Sequence, residues 1–401
     1  MLTREENELL TRVGPGTPMG ELMRRYWMPA MLSREMEPDG EPKQIRLLGQ
    51  NFVAFRDTSG QVGLLDENCS HRGASLAYGR NEECGLRCIY HGWKVDVHGN
   101  IVDTPSEPED STFRFRIKHP AYGTHEVAGI IWVYLGPPER QPSFPAWEWT
   151  RARPDQIEIN KVLEDCNYAQ GLEGSIDSVH SDFLHSSDIR GRPSDHRPVF
   201  EVEDRPYGFR YGAIRKPDTD PDRAKYVRVT LFVAPCYVMT PLQRTGDGIE
   251  IVNHQAWVPI DDEHNYFFSM RCNHKGPLLD DHVAQFHVDD QFRPARNRAN
   301  KHLQDRVAMK NGNWSGIEGI TSQDFTLVES MGRIYDRTRE HLGATDVAIT
   351  RFRRWMLQTA RALAEGIDPP GLDGSADYAH LCSDEKIVPV DVPWQSVARY
   401  S

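Results

Sequence analysis

The chain has 401 residues, enough for one large or two ordinary domains, and its 38% apolar and 26% charged residues are typical of a soluble globular protein. Its net charge of −12 argues against broad electrostatic attraction to nucleic acid or to an anionic membrane. The sequence contains no run of about 18 apolar residues, and the charged N-terminus lacks the apolar core of a signal peptide. We therefore expect a cytoplasmic protein that binds neither membrane nor nucleic acid, and whose seven scattered cysteines are free thiols or metal ligands.

The first part of the chain predicts a helix followed by a β-rich region. Thr17 is suited to cap a helix that begins at Pro18 and continues to Tyr26. Short β patterns then follow at 45–48, 52–55, 62–65 and 130–135. Four prolines between 137 and 145 indicate the end of this region.

The second part of the chain mixes helical and strand patterns. Helices are expected at about 163–181, 322–341 and 346–365. Strand patterns lie between them at 208–216, 226–233, 249–258 and 266–272, whereas 276–318 is polar and irregular. This order predicts an α+β fold. We divide it into an N-terminal helical segment at 1–41 that packs on the C-terminal domain, a β-rich domain at 42–140, and a C-terminal domain at 141–401 with an antiparallel sheet flanked by helices.

Two short motifs in the β-rich region carry metal-ligand residues. They read Cys69-Ser-His71 and Cys88-Ile-Tyr-His91, and each is short enough to lie on one tight loop. Two thiolates and two imidazoles are the ligand set of a Rieske [2Fe–2S] cluster, in which the cysteines hold one iron and the histidines the other. The same residues also suit structural zinc, but zinc fingers usually pair Cys with Cys and His with His. The mixed order therefore favours the cluster, and Cys84 lies outside the pattern.

A second candidate site lies at the end of the helical pattern at 163–181. Asp177 and His180 share one helical face, and His185 follows five residues after His180. On a continuous helix that interval is about 140° around the axis, so the two histidines share a metal only if the helix ends or bends between them. A solvated helix end is the alternative interpretation.

The helix expected at 322–341 offers a carboxylate that completes such a site. Asp324, Val328, Met331 and Tyr335 fall on one stripe, and an aspartate on an apolar face is costly to bury unless it is paired or bound to a metal. Two histidines and one carboxylate form the facial triad of non-haem Fe(II) oxygenases. An aspartate stabilised by the helix dipole is an equally simple alternative.

In combination these motifs resemble the α subunits of Rieske ring-hydroxylating oxygenases. The Rieske loop pair is followed by D-x2-H-x4-H at 177–185 and by Q-D-x4-E-S at 323–330, as in the phthalate dioxygenase and phenoxybenzoate dioxygenase group. The resemblance extends from Gly14 to Asp346. It implies a β-rich Rieske domain joined to a helix-grip-like catalytic domain, assembled as a homotrimer or a stacked hexamer.

The resemblance also implies a role for each motif residue. The implied ligands are Cys69 and Cys88 for one cluster iron, His71 and His91 for the other, and His180, His185 and Asp324 for a mononuclear Fe(II). Asp177 is implied to bridge an iron-ligand histidine to a cluster histidine of the neighbouring subunit. Asn167 is implied at the catalytic centre, where Tyr168 replaces the family's usual tryptophan.

The implied reaction is the O₂-dependent hydroxylation of an aromatic carboxylate by a dioxygenase of aromatic catabolism. The chain has no Rossmann fingerprint and no ferredoxin cysteine run, so electrons from NAD(P)H require a separate reductase that carries flavin and an iron–sulfur centre. Candidates for pairing with a substrate carboxylate are Arg205, Arg210, Arg228 and Arg244. The alternatives are monooxygenation or O-demethylation of an aryl ether, a Rieske electron-transfer protein without catalysis, and a zinc-stabilised binding module.

Overall fold

The computed structural model describes residues 1–189, 193–241, 251–278 and 286–398. The chain divides into two compact units, of which one is Arg24–Phe144 and the other combines Met1–Met23 with Pro145–Ser401. The predicted helical segment 1–41 is therefore split between the units. The reason is that Trp27–Leu32 is not helical but a strand, which pairs with the strand Ile130–Tyr134.

The Arg24–Phe144 unit contains two antiparallel sheets. Its strands are β1 Trp27–Leu32, β2 Lys43–Leu47, β3 Gln50–Arg56, β4 Val62–Asp66, β5 Arg80–Glu82, β6 Gly85–Arg87, β7 Lys94–Val95, β8 Ile101–Asp103, β9 Ala121–Val127 and β10 Ile130–Tyr134. One sheet has the order β1–β10–β9–β4–β3–β2 and the other β5–β6–β7–β8. The turn between β2 and β3 contains Leu48 and Gly49, both with positive φ, as a tight hairpin requires. The strand patterns of this region are confirmed.

The other unit is an antiparallel sheet with helices. Its helices are α1 Arg4–Thr11, α2 Pro18–Arg24 (whose last residue falls in the first unit), α3 Tyr168–Ile176, α4 His180–Phe183, α5 Arg306–Lys310, α6 Ile320–Ser330 and α7 Val347–Ala364. Its strands are β11 Ile157–Glu164, β12 Val199–Arg205, β13 Gly208–Arg215, β14 Ala224–Val233, β15 Tyr237–Pro241, β16 Ile251–Pro259, β17 Asn265–Asn273 and β18 Asp384–Pro389. The sheet order is β11–β17–β16–β15–β14–β13–β12, and β18 pairs with β14. The α+β class and the helix predicted at 346–365 are confirmed. Within the described ranges, no helix combines the length and apolar character that crossing a bilayer needs.

The helix predicted at 163–181 is wrong at both ends. Its first residues belong to β11, and the chain becomes helical only after Asn167, whose side-chain oxygen accepts a 3.1 Å hydrogen bond from the Ala169 N–H. This is an N-cap, which satisfies a backbone donor of the first helical turn. The helix stops at Asp177, and α4 is a separate turn that begins at His180.

The helix predicted at 322–341 is confirmed only in its first half. It ends at Ser330 because Gly332 adopts a φ of 99°, a left-handed conformation that terminates a helix. Met331 is 49% exposed, so the apolar stripe predicted through Met331 and Tyr335 does not continue past Val328.

Candidate metal centres

The four predicted cluster ligands lie on two loops that share one backbone design. The first loop follows β4, and the second joins β6 to β7. In each loop a glycine N–H donates to the carbonyl of the cysteine four residues earlier, at 2.8 Å from Gly73 to Cys69 and at 2.9 Å from Gly92 to Cys88. Both glycines have positive φ, 76° and 80°, which costs other residues about 1–2 kcal/mol. Each motif therefore closes into a tight turn that holds its cysteine and histidine together.

The cysteines of these loops point into the core, and the histidines lie nearer the surface. Cys69 and Cys88 are each 3% exposed, whereas His71 and His91 are half-buried with ring centroids 4.5 Å apart. The His71 ring stacks on Trp93 at 4.6 Å. Burial raises the pKa of the Cys69 thiol to about 11, an effect that the nearby Cys88 reinforces. Ionisation of this thiol therefore needs a metal to replace its proton.

This arrangement fits a diiron cluster better than a single zinc ion. His71 Nδ1 is buried and lacks a hydrogen-bond partner among the described residues, which is unusual for a polar atom unless a ligand completes it. In the part of the chain that the structure describes, no three of the four ligand side chains bring their ligand atoms within 4.8 Å of one another. Tetrahedral zinc, with bonds of about 2.0–2.3 Å, needs all four ligand atoms within about 4 Å of one another. The wider spacing is what two bridged irons require.

The second candidate site lies in the other unit, where α3 gives way to α4. The Nε2 atoms of His180 and His185 are 3.2 Å apart, and Asp324 Oδ1 lies 3.4 Å from the first and 3.0 Å from the second. Ligand atoms that bind a metal at about 2.1 Å and at right angles lie about 3 Å apart. The three atoms therefore occupy one face of an octahedron, which is the geometry of a facial triad. Among the described residues this is the one set of three or more such side chains whose ligand atoms all lie within 4.8 Å.

The break between α3 and α4 makes the five-residue spacing of the histidines workable. Asp177 ends α3, and its Oδ1 accepts hydrogen bonds from the N–H groups of Val179, at 2.7 Å, and His180, at 3.4 Å. The carboxylate thus organises the start of α4, which ends after four residues at Phe183. The following turn returns the chain so that His185 lies beside His180, and the interruption expected from the spacing is present.

A buried ion pair secures this segment to the sheet. Arg215 of β13 donates to Asp182 Oδ2 from Nε at 3.1 Å and from Nη2 at 2.7 Å, and Nη2 also donates to the Ser178 carbonyl at 3.3 Å. Both charged side chains are about 1% exposed. Because Ser178 precedes His180 and Asp182 follows it, Arg215 holds the chain on both sides of that histidine.

The electrostatics of the triad favour a bound cation. Burial alone would lower the pKa of His180, but the carboxylates of Asp177 and Asp324 outweigh burial and raise it to about 10. Burial alone would raise the pKa of Asp324, but the two histidines lower it to about 2. The site therefore stabilises positive charge, and the same field stabilises a divalent metal ion.

Gln323 is a residue of this site to which the sequence analysis assigned no role. Its Oε1 accepts a 2.6 Å hydrogen bond from His185 Nδ1, while its Nε2 donates to Asp188 Oδ2 and to the Ile317 carbonyl, both at 2.8 Å. Since both amide hydrogens are engaged, the carbonyl oxygen must face His185, which places the imidazole proton on Nδ1 and leaves Nε2 for a metal. In the sequence, the position of Gln323 directly before Asp324 in the Q-D-x4-E-S motif is the feature that could have identified it.

The structure shows a structural role for Asn167, for which the resemblance implies a catalytic one. Besides capping α3, Asn167 donates from Nδ2 to the carbonyls of Thr11 at 2.9 Å and Asp262 at 2.7 Å, and it is fully buried. Both amide hydrogens and one lone pair of the amide oxygen are thus used by the backbone. Asn167 therefore fastens the N-terminal segment to the rest of this unit.

The arginines proposed to pair with a substrate carboxylate already contact carboxylates of this chain. This holds for the three of them that the structure describes. Arg205 and Arg210 contact Glu203 at 3.3 and 2.8 Å, and Arg228 contacts Glu385 at 2.8 Å. Arg210 and Arg228 are buried rather than on the surface. Arg244 lies outside the described residues.

Comparisons with known proteins cover both parts of the chain. Residues 26–120 match the family model for the Rieske [2Fe-2S] domain, and residues 133–400 match the model described as LigXa C-terminal domain like. The chain is 43% identical to the phthalate 4,5-dioxygenase oxygenase subunit of Pseudomonas putida, with 100% of this chain and 96% of the relative covered. It is 32% identical to the 5,5'-dehydrodivanillate O-demethylase oxygenase subunit of a Sphingobium species, over 93% of this chain and 84% of the relative. Among solved structures, Pseudomonas putida CBB5 NdmA matches with a TM-score of 0.65 at 19% identity, over 87% of this chain and 94% of that chain, which supports the fold alone.

Proposed function

The chain belongs to the family of Rieske-type oxygenase subunits, which are oxidoreductases that use O₂, and from that membership we propose that it hydroxylates an aromatic carboxylate at an iron held by His180, His185 and Asp324. The observation that carries the proposal is the triangle of ligand atoms, with edges of 3.0 to 3.4 Å, in a chain that also contains a Rieske domain. A protein that only transferred electrons would have no use for a second, preorganised ligand set. The electron-transfer and zinc-module alternatives are therefore set aside.

The two metal groups would have different roles in the reaction. Cys69, His71, Cys88 and His91 would hold the [2Fe–2S] cluster, and the triad would hold the mononuclear iron; together these groups supply electrons and activate O₂. The chain's own contribution at the triad is orientation, since Gln323 accepts a hydrogen bond from His185 and Asp177 holds the backbone of His180.

Asp177 is proposed to connect the two kinds of site across a subunit boundary. Its Oδ1 is used within the chain, whereas Oδ2 lies 3.7 Å from His180 Nδ1 and its side chain is 27% exposed. A carboxylate held in this way is accessible to a cluster histidine of a neighbouring subunit. This role requires an oligomer, and we propose the homotrimer or stacked hexamer that the resemblance implies.

The substrate class is proposed from the relatives. Phthalate and dehydrodivanillate, the compounds that name the two relatives above, are both aromatic carboxylates. The O-demethylase relative makes removal of a methyl group from an aryl ether the second candidate reaction.

We further propose a separate flavin and iron–sulfur reductase as the electron source. We propose the cytoplasm as the location, which suits seven cysteines that are all free thiols in the structure.

The decisive experiment is reductase-coupled turnover of a panel of benzoates, phthalates and methoxylated aromatic acids, with products identified by mass. A gain of two oxygens indicates dioxygenation, whereas formaldehyde release indicates demethylation. Asp324→Ala, which lacks one triad ligand, is the control for background reaction. Absence of any oxygenated product from a protein with both metal groups present would contradict the proposal.

The bridge is tested by Asp177→Asn. This change preserves the size of the side chain but removes its charge, so we expect both metal groups to remain and coupled turnover to fall by about 100-fold or more. Iron content, the visible spectrum of the cluster and turnover should be measured on one preparation. Normal turnover in the variant would rule out the bridging role.

A further inference from the structure

Three buried titratable side chains near the triad have no part in the roles assigned so far. Glu164 lies at the end of β11 and is fully buried, Glu329 lies on α6 five residues after Asp324 and is 3% exposed, and His302 is 6% exposed. Lys301 and Leu303, on either side of His302, are exposed. The three side chains therefore extend from just beneath the surface into the interior of the catalytic unit.

His302 lies next to Glu329, and Glu329 is close enough to Glu164 to influence its charge. His302 Nε2 lies 3.5 Å from Glu329 Oε2, at the outer limit of a hydrogen bond. The other oxygen of Glu329 accepts a 3.1 Å hydrogen bond from the Asp165 N–H, directly beside Glu164 in the chain. Glu164 Oε2 accepts a hydrogen bond from Asn265 Nδ2 at 3.2 Å. Only one oxygen of each carboxyl group is thus satisfied.

The remaining buried polar atoms make no hydrogen bond to the described residues, although Glu329 Oε2 lies within ion-pair distance of His302. Glu164 Oε1, Glu329 Oε2 and His302 Nδ1 are all buried without a hydrogen bond. An ionised carboxylate in that situation bears a large desolvation penalty, whereas a protonated carboxyl group does not. Unused hydrogen-bonding capacity on all three groups is what the passage of a proton through them would require.

Burial and neighbouring carboxylates favour the protonated form of the two carboxyl groups. Burial, reinforced by Glu329 and in part by Asp324, raises the pKa of Glu164 well above its usual value. Burial likewise raises the pKa of Glu329, although the hydrogen bond from the Asp165 N–H and the charges of Arg298 and Arg333 oppose it. Burial and Arg298 lower the pKa of His302. The thiol of Cys166, beside Glu164, is also kept neutral, chiefly by burial.

The backbone at the surface end is strained. Lys301, His302 and Leu303 have φ values of 53°, 53° and 51°, and left-handed conformations of this kind in non-glycine residues are retained mainly where the surroundings or the function require them. Here the conformation directs the His302 ring towards Glu329.

We propose that His302, Glu329 and Glu164 form a proton relay from solvent to the Asp324 side of the triad. The proposal rests on the proposed function, because formation of a cis-diol from an aromatic ring and O₂ consumes two electrons and two protons. The reductase delivers the electrons without protons, so both protons must come from solvent. A proton that enters at His302 displaces the one held by Glu329, which displaces the one held by Glu164. The proton released by Glu164 ends on a hydroxyl oxygen of the diol, and the relay itself is left unchanged.

The first test needs no turnover. Infrared spectra of the intact holoprotein should contain the carbonyl stretch of protonated, buried carboxyl groups, shifted in D₂O. Glu164→Gln and Glu329→Gln should each remove part of this band, and Glu318→Gln should not, because Glu318 is a 90% exposed carboxylate paired with Arg296 on the surface. An unchanged band in both relay variants would show that the two carboxyls are ionised and would overturn the relay.

The second test measures a single turnover, in which the reduced protein is mixed with O₂ and an aromatic acid. Glu329→Gln should keep its iron, its cluster spectrum and its rate of reduction, but form product about 10–100-fold more slowly with an altered solvent isotope effect. His302→Ala should be slowed similarly and be rescued by added imidazole, which a purely structural role of His302 does not predict. If Glu164→Gln does not fold, Glu329→Gln and His302→Ala carry the test.

The outcomes separate the relay from the function on which it rests. If the wild-type protein forms no product, the proposed function fails, and the infrared result still decides whether the protonated pair exists. If the wild type forms product and the relay variants match it in rate and isotope effect, the relay alone is wrong. Loss of iron from Glu329→Gln with normal turnover per remaining iron would likewise overturn the relay and make Glu329 a structural residue.

Discussion

The two candidate metal sites are built in opposite ways. The cluster loops are local, because each ligand pair lies within four residues and is held by a glycine turn of the same design. The triad is assembled from distant parts, since 138 residues separate His185 from the Gln323 that orients it. A local site can be recognised from spacing alone, whereas a dispersed site depends on helix ends and buried partners. The two sites should therefore respond differently to substitution.

The largest effect is expected from Cys88→Ser. Loss of one buried thiolate removes a ligand that no other side chain in the loop can replace, so the cluster and all coupled turnover should be lost. Visible absorbance and EPR of the reduced protein measure the cluster directly. Cys84→Ser, which changes an exposed cysteine outside the loop pair, should have no effect on either signal.

Asp324→Ala should affect only the dispersed site. Without the carboxylate, iron content should fall from about three to about two per chain while the cluster spectrum stays intact. Metal analysis and EPR on the same sample measure both quantities. Asp336→Ala, which removes an unburied carboxylate of the same region, is the matched control. Loss of both metal groups would mean that the two sites are not independent.

Gln323→Leu tests how far the dispersed site depends on its supporting residues. Leucine fills similar space but cannot accept the hydrogen bond from His185 Nδ1, so the imidazole loses its fixed orientation. We expect iron affinity to fall by about 10–100-fold, as is typical for such supporting groups. Titration of the iron-depleted protein with ferrous ion measures the change, and Gln358→Leu on the exposed face of α7 should leave the affinity unchanged.

The smallest effects should come from substitution of the two glycines of the cluster loops, which should lower the stability of the protein by different amounts. A Cβ at Gly73 meets no atom within 4 Å, so Gly73→Ala should cost only the backbone strain, about 1–2 kcal/mol. A Cβ at Gly92 would lie 2.6 Å from Pro105 Cγ, so Gly92→Ala should cost more. Thermal unfolding of samples with equal cluster content ranks the two. Equal losses would show that Pro105 moves aside without cost.

The features that could be predicted from the sequence are the local ones, and those that could not depend on distant parts of the chain. The cluster ligands depend on short-range chemistry and were identifiable from residue types and spacing. The start of α3 and the end of α6 were not identifiable in this way. The start of α3 is set by the Asn167 cap, and the end of α6 is set by the conformation of Gly332. Asn167 was assigned a catalytic role from the family pattern, but only the fold shows that its amide is used by Thr11 and Asp262. Residues 27–32 form a strand because of a partner about a hundred residues away in sequence.

The four-residue length of α4 has a consequence for how this protein is handled in the laboratory. A single turn does not persist as a helix by itself, so the segment that carries His180 is held by the ion pair of Arg215 and Asp182. That segment can open locally while the sheet stays folded. Mononuclear iron should accordingly be removed by a mild chelator and restored by a ferrous salt under argon, with the brown colour of the protein unchanged throughout.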